Sequence, residues 1–325
     1  MTCMTRIAGV LAATTTLIGG GTLAQDGANI FVVGGKADDP FWSIVKRGAE
    51  DAGMVAEAQG GSVTWLAPQT YDNLGPDAAD LIRTAISQSP DAIVAPNWVP
   101  EAMDDAFKAA VDAGIPVIVY NAGGMASAEG LGAMNYIGSD ETEAGRAGGA
   151  YFAENGARNV ICVNTVPGST NQEARCAGVA EGMAAGGGVG TQLPLPATSF
   201  GNPTAVAEAI RAALLQDETI DGVITIAAGD ADSAAIAIMQ AGVGDRVALG
   251  TFDLNQGTLD RIQAGEQLFA IDQQPYLQGY LAVSLLNGYV NYGLDVPTAP
   301  ILTGPGIVDS TNIEATLAGV AAGAR

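Results

Sequence analysis

From residue 29 onward, short apolar runs alternate with longer amphipathic ones, and the alternation starts afresh near Asp140. The apolar runs at 30–33, 62–66, 92–95, 117–120 and 136–138 read as strands. Helical spacing fills 41–58, 76–88 and 100–113 between the first four. The second series reads as helix 141–155, strand 160–164, helix 171–185, a strand around 190–195 and helix 203–215. It continues as strand 222–226, helix 232–241, strand 247–251, helix 256–264 and strand 268–272. Most of these strands are apolar on both faces, which suits a parallel sheet covered by helices. The expected fold is therefore α/β: two Rossmann-like domains with parallel sheets. A length of 325 residues suits two cores better than one.

The run Gly186-Gly187-Gly188 reads as a surface turn. After Asp272 a long helix covers 275–292, and Pro297, Pro300 and Gly304-Pro305-Gly306 punctuate the tail. A chain that returns in this way crosses between domains several times and makes a hinge. The first domain is expected to hold 29–139 plus 274–301, the second 140–273 plus 302–325.

Composition excludes whole classes of function. There is no histidine, so Ser-His-Asp and Cys-His catalysis are ruled out and the usual transition-metal sites are not expected. No metal or other cofactor is called for. The first 24 residues read as a signal peptide: basic Arg6, an apolar run at 7–18, and Thr22-Leu23-Ala24 before a cut. Cys3 precedes the apolar run, where a lipoprotein would carry its cysteine after it. A soluble exported protein is expected, and no later segment reads as a membrane span. The formal charge of −22 becomes −23 once Arg6 leaves with the leader. That balance argues against nucleic acid or an anionic membrane as partner. Cys162 and Cys176 remain, either as a disulfide or as two buried thiols.

The first strand runs into Gly34-Gly35-Lys36-Ala37-Asp38-Asp39-Pro40-Phe41-Trp42. Asp39 can cap a helix with Pro40 at its first position. Phe41, Ile44, Val45, Gly48, Ala49 and Ala52 share one face, expected to be buried, and Trp42 falls off it. An indole beside a fixed carboxylate suits a small polyhydroxylated ring. The glycines fit neither a dinucleotide nor a P-loop spacing. Other polar and aromatic residues gather at strand ends, the edge where open α/β sheets bind ligands. These are Asn97, Trp98, Asn121, Asn171, Arg175, Asp230, Asp253 and Gln273. Each alone could be a loop polar or a cap. Together they form two rims that would face each other, rich in hydroxyl-binding groups and without a nucleophile–base pair.

In these motifs the chain resembles the periplasmic solute-binding proteins of sugar ABC transporters, the ribose- and galactose-binding type. Asp39-Pro40-Phe41-Trp42 is similar to that family's sugar-holding loop. Gly114-Ile115-Pro116-Val117-Ile118-Val119-Tyr120-Asn121 is similar to its strand ending in a sugar-contacting Asp or Asn. Ile137-Gly138-Ser139-Asp140 and Ile271-Asp272-Gln273-Gln274-Pro275 resemble its hinge crossings. Arg175-Cys176-Ala177-Gly178 matches Arg-x-x-Gly, and Leu249-Gly250-Thr251-Phe252-Asp253 its aspartate-bearing strand. The resemblance implies the type I periplasmic-binding-protein fold and a small neutral sugar-like ligand bound without turnover. It also implies a membrane permease as partner, a monomer, and a periplasmic location. Asn121-Ala122 stands where ribose binders carry Asp-Arg, and Gly229-Asp230 where they carry Asn-Asp, so a pentose, hexose or polyol other than ribose, or a less polar cyclic ligand, is implied. A periplasmic partner of a sensor or chemoreceptor fits the same residues. A sugar-responsive repressor would need a helix-turn-helix and a basic surface, and a dehydrogenase a dinucleotide loop.

Overall fold

The computed structural model describes residues 27–325. The leader expected at 1–24 and its cut near Ala24 lie outside the described residues. Two six-stranded sheets organise the chain. In the first, β1 (Asn29–Val33) lies between β2 (Ser62–Leu66) and β3 (Ala92–Ala95), followed by β4 (Val117–Tyr120), β5 (Asn135–Ser139) and β11 (Ile301–Gly304), all parallel. In the second, β6 (Asn159–Asn164) lies between β7 (Val189–Pro194) and β8 (Gly222–Thr225), followed by β9 (Ala248–Phe252), β10 (Phe269–Asp272) and β12 (Gly306–Val308). Only β12 runs antiparallel to its neighbour. Both sheets share one order, and each switches direction beside its first strand, where α/β proteins bind ligands.

The pattern of burial explains the strands. The central β3, β4 and β8 are buried along their whole length, as their continuous apolar runs require. Edge strand β7 is mostly exposed, and its sequence is mixed. Helices cover both faces: α1 (Pro40–Ala58), α2 (Leu74–Ser87), α3 (Pro100–Asp112), α4 (Gly124–Leu131) and α10 (Pro275–Tyr292) around the first sheet. Around the second lie α5 (Glu141–Glu154), α6 (Thr170–Ala185), α7 (Pro203–Gln216), α8 (Ala228–Ala241), α9 (Gln256–Ala264) and α11 (Ile313–Ala321). Helix α4, both tail strands and α11 are additions to the elements read from sequence.

The chain passes between the sheets three times, after β5, after β10 and after β11. Because β11 pairs with β5, residues 301–304 lie in the first sheet, three residues past the boundary expected from sequence. The second and third crossings are tied together by Gln274 Nε2, which donates to the Thr303 carbonyl at 2.8 Å, and the first starts from a strand end where Tyr136 Oη donates to the Ser139 carbonyl at 2.8 Å.

Helices α5 and α6 touch backbone to backbone. A Cβ on Gly145 would meet the Arg175 carbonyl at 2.1 Å, and one on Gly178 the Thr142 carbonyl at 2.2 Å. Only glycine permits that approach, and it sets Arg175 directly over Glu141. Cys162 on β6 and Cys176 on α6 are joined as a disulfide, with Cα atoms 5.5 Å apart. Among the described residues no helix is long and apolar enough to cross a membrane.

Candidate ligand-binding cleft

Asp39 caps α1, its Oδ1 accepting from the backbone N–H of Phe41 at 3.0 Å and of Trp42 at 3.4 Å. Its Oδ2 accepts from Tyr71 Oη at 3.2 Å. That fixes the carboxylate at the mouth of a cavity of about 600 Å³ between the two sheets. From the first sheet's side come Asp39, Phe41, Ile44 and Tyr71; from the second's come Phe200, Asp230 and Asp253. Among the described residues the halves touch where Arg47 of α1 donates to the Ala322 carbonyl of the tail, and at two further places. Tyr71 and Phe200 pack edge to face with centroids 4.9 Å apart. Thr170 donates through its N–H to the Trp98 carbonyl at 2.9 Å and through its hydroxyl to the Asn97 carbonyl at 3.0 Å.

Phe41, a ligand-binding residue by the family resemblance although its spacing puts it on the buried face of α1, is half-buried and lines the cavity, and so is Ile44, expected on that face only. Trp42, expected to face the ligand, is buried among Trp65, Trp98 and Tyr120, with centroids at 6.3, 5.4 and 5.9 Å. The apolar arc on α1 is wider than one face, and the sheet takes the larger ring. The two glycines of the loop explain this packing: a Cβ on Gly34 would meet the Trp65 ring at 2.2 Å, and one on Gly35 the Trp42 ring at 2.1 Å.

Asn121 and Asp253 occupy equivalent places, one residue past β4 and β9. Both adopt left-handed backbone, with φ of 60° and 68°, and each donates its N–H to the next strand at 2.9 Å. Non-glycine residues seldom hold this conformation, and it aims a side chain off the strand end. The helix after Asp253 is capped by Asn255, whose side chain accepts from Thr258 N–H at 2.7 Å. Asp253 is therefore not the cap that its position also allowed. One Asp253 oxygen takes a hydrogen bond from Gln273 Nε2. Burial pushes the Asp253 carboxyl up to about 7, against the pull of Arg175.

Asp230 lies in the first turn of α8, which starts four residues before the helix read from sequence. Its Oδ2 accepts from Thr165 at 2.9 Å, and burial raises its pKa to about 6. Burial also raises Asp39, which its three hydrogen bonds oppose.

Three amides turn nitrogen into the protein and leave oxygen unpaired. Asn97 donates to Asp104 and Ser127, both at 2.9 Å, Asn121 to Gln278 at 3.1 Å, and Gln273 to Asp253. Asn97 Oδ1, Asn121 Oδ1 and Gln273 Oε1 are all buried without a partner. These residues stand at the strand ends beside the cavity rather than on its lining.

Arg175 departs from the role expected of it. It is 2 % exposed and grips Glu141 through two parallel bonds of 2.6 and 3.1 Å. Its third nitrogen donates to the Ile226 carbonyl at 2.9 Å, and the guanidinium lies 4.5 Å from the centre of the Phe252 ring. It works as a buried ion pair rather than as a free donor to ligand hydroxyls. Glu141 was missed in the sequence; it lies 34 residues away on another helix. Asn171 also stands apart. It lines a separate space of about 370 Å³ with Ser139 and Thr142.

A hinge, two facing rims and a cavity of acceptors between them define a two-lobed solute-binding protein. The profile of the periplasmic binding protein domain matches residues 30–294, and the chain belongs to that family. It is of the type I fold. A carbohydrate transporter from Acidothermus cellulolyticus, solved in complex with myo-inositol, is 33% identical, with a TM-score of 0.83 over 92% of this chain and all of that one. The xylose/arabinose-binding protein XylF of Sulfolobus acidocaldarius is 26% identical over 85% of this chain and 69% of its own. The glucose-galactose binding protein GanP of Geobacillus stearothermophilus, 21% identical, shares the fold with a TM-score of 0.75 over 88% of this chain and 98% of its own.

Proposed function

We propose that the protein captures one small polyhydroxylated ring, a sugar or a cyclitol, between its lobes and hands it unchanged to a membrane permease. The lobes are 29–139 with 274–304, and 140–273 with the tail. Acting as an exported monomer, with the leader at 1–24 removed, it closes on its ligand by bending at the three crossings. The observation that carries this reading is the set of carboxylates from both lobes that line one cavity, Asp39 from the first and Asp230 and Asp253 from the second. Asp230 and Asp253 each keep an oxygen that the protein does not engage, and a ligand hydroxyl would donate to it. Phe41 and Phe200 offer apolar walls for a ring's C–H faces. The myo-inositol bound by the Acidothermus relative is the first ligand to try, with pentoses and hexoses beside it.

A thermal-shift panel of sugars and cyclitols, followed by calorimetric titration of each hit, tests the reading. A stabilising ligand should be recovered chemically intact. Conversion in proportion to protein, or no hit among polyhydroxylated rings, would overturn it.

A further inference from the structure

The charges around the cavity do not balance. Every cation near it already faces a carboxylate of its own: Lys36 with Asp38 at 3.4 Å, Arg325 with Asp272 at 3.3 Å, and Arg261 with Asp232 at 2.7 Å. Arg175 is held by Glu141 at 2.6 Å. Four lining carboxylates, Asp39, Asp72, Asp230 and Asp253, are left without a cation in contact, and of these Asp72 is exposed to solvent. Asp39 is occupied by its cap and by Tyr71. Asp230 and Asp253 each have one oxygen engaged by the protein and one free. With a neutral ligand these two buried carboxyls have no cation facing them, so each either bears an uncompensated charge at a desolvation cost or holds a proton instead. A metal ion is not the missing charge: among the described residues no group of three acidic, cysteine or histidine side chains is placed to hold one. The cavity is wide enough for an organic cation, and Phe41, Tyr71 and Phe200 line it with aromatic surface, which also attracts cations.

We propose that the preferred ligand is a polyhydroxylated ring carrying one protonated primary amine, its ammonium facing the free oxygens of Asp230 and Asp253. This rests on the reading of the cavity as a polyol site and names the ligand's charge within it. Three ammonium hydrogens replace one hydroxyl hydrogen at a place that offers only acceptors. The groups that face the pair, Thr165, Gln273 and the neutralised Arg175, add no competing cation.

The test is calorimetric titration of the intact protein at pH 7.5 with matched pairs: myo-inositol and an amino-inositol, D-glucose and D-glucosamine. N-acetylglucosamine serves as the uncharged control. In a pair that binds, the amine should bind at least tenfold tighter than its hydroxyl parent. Asp230→Asn should reduce that advantage to less than threefold. If a parent binds as tightly as its amine, or the amine's advantage survives both in Asp230→Asn and in Asp253→Asn, the charge assignment fails while the polyol reading stands. If no ring of the thermal-shift panel binds, with or without an amine, the polyol reading itself fails.

Discussion

Asp253 is the residue where conformation, charge and position coincide. Its carboxyl titrates at about 7, far above the ordinary value of 3.8, because burial disfavours the charge. Arg175 and Gln273 pull it down, while Glu141 and Asp39 push it up. An acid raised by folding holds a proton in the native state that the unfolded chain has already lost. The contribution to stability is full below the ordinary pKa and falls as pH rises from about 4 through about 7. Asp230, at about 6, acts in the same direction. The ligand-free protein should therefore melt at a higher temperature at pH 5.5 than at pH 8. Asp253→Asn should narrow that difference and raise the melting point at pH 8. The same substitution should weaken binding of the ligand found by screening by about 1.5–3 kcal/mol, as for a hydrogen bond to a charged group. Unchanged affinity on titration would remove Asp253 from the site. Arg175 makes the opposite case. Arg175→Met leaves Glu141 buried without its partner, and urea unfolding should show a loss of about 3–5 kcal/mol. The double variant with Glu141→Gln should recover much of it. A single variant as stable as the parent would mean that the ion pair has no structural role.

At the scale of elements, helix α6 gathers the most constraints. Glycines press it onto α5, the ion pair pins its first half, and the disulfide ties it to β6. The bridge closes a loop of 14 residues, so reduction should destabilise the protein by about 3 kcal/mol. Denaturant unfolding with and without reductant measures this, and identical midpoints would count against it. The main strands and helices were legible because each carries its own period: continuous apolar runs for covered strands, helical spacing for α1 and α10. Helix α4 was not, because eight residues with glycine near both ends carry little periodicity. Strand β12 has three residues and exists through its pairing with β10. The candidate site was partly legible for the same reason. Strand ends can be counted along a chain, so Asp39, Asp230 and Asp253 were found. The partner of a buried charge cannot, so Arg175 was assigned to the ligand when Glu141 holds it. Trp42 was turned the wrong way because spacing gives a side chain's angle on the helix, not which neighbour fills it. The informative signal was Gly34-Gly35, which leaves room for two indoles.

For the whole molecule, three crossings let one half rotate against the other, and the contacts that span the cleft decide where that rotation stops. A ligand shifts this equilibrium only as far as it favours the closed arrangement. The contacts between lobes set the starting point. Of these, the Tyr71–Phe200 pair is the one to probe, because its rings meet only across the cleft mouth. Tyr71 is the wrong half to change, since its hydroxyl also holds Asp39 and accepts from Lys36 N–H. Phe200 is half-buried and makes no other ring contact. Phe200→Ala should thus raise the open population while leaving the folded stability of each lobe nearly unchanged. An edge-to-face pair contributes about 0.5–1.5 kcal/mol, so affinity should fall roughly two- to tenfold. The loss should come mainly from faster dissociation, as the encounter itself does not use the latch. Stopped-flow dissociation reads the rate, and small-angle scattering of the ligand-free variant should give a larger radius of gyration than the parent. A variant with the parent's dissociation rate and radius would place the barrier to opening elsewhere, at the Thr170–Trp98 contact or in the crossings themselves.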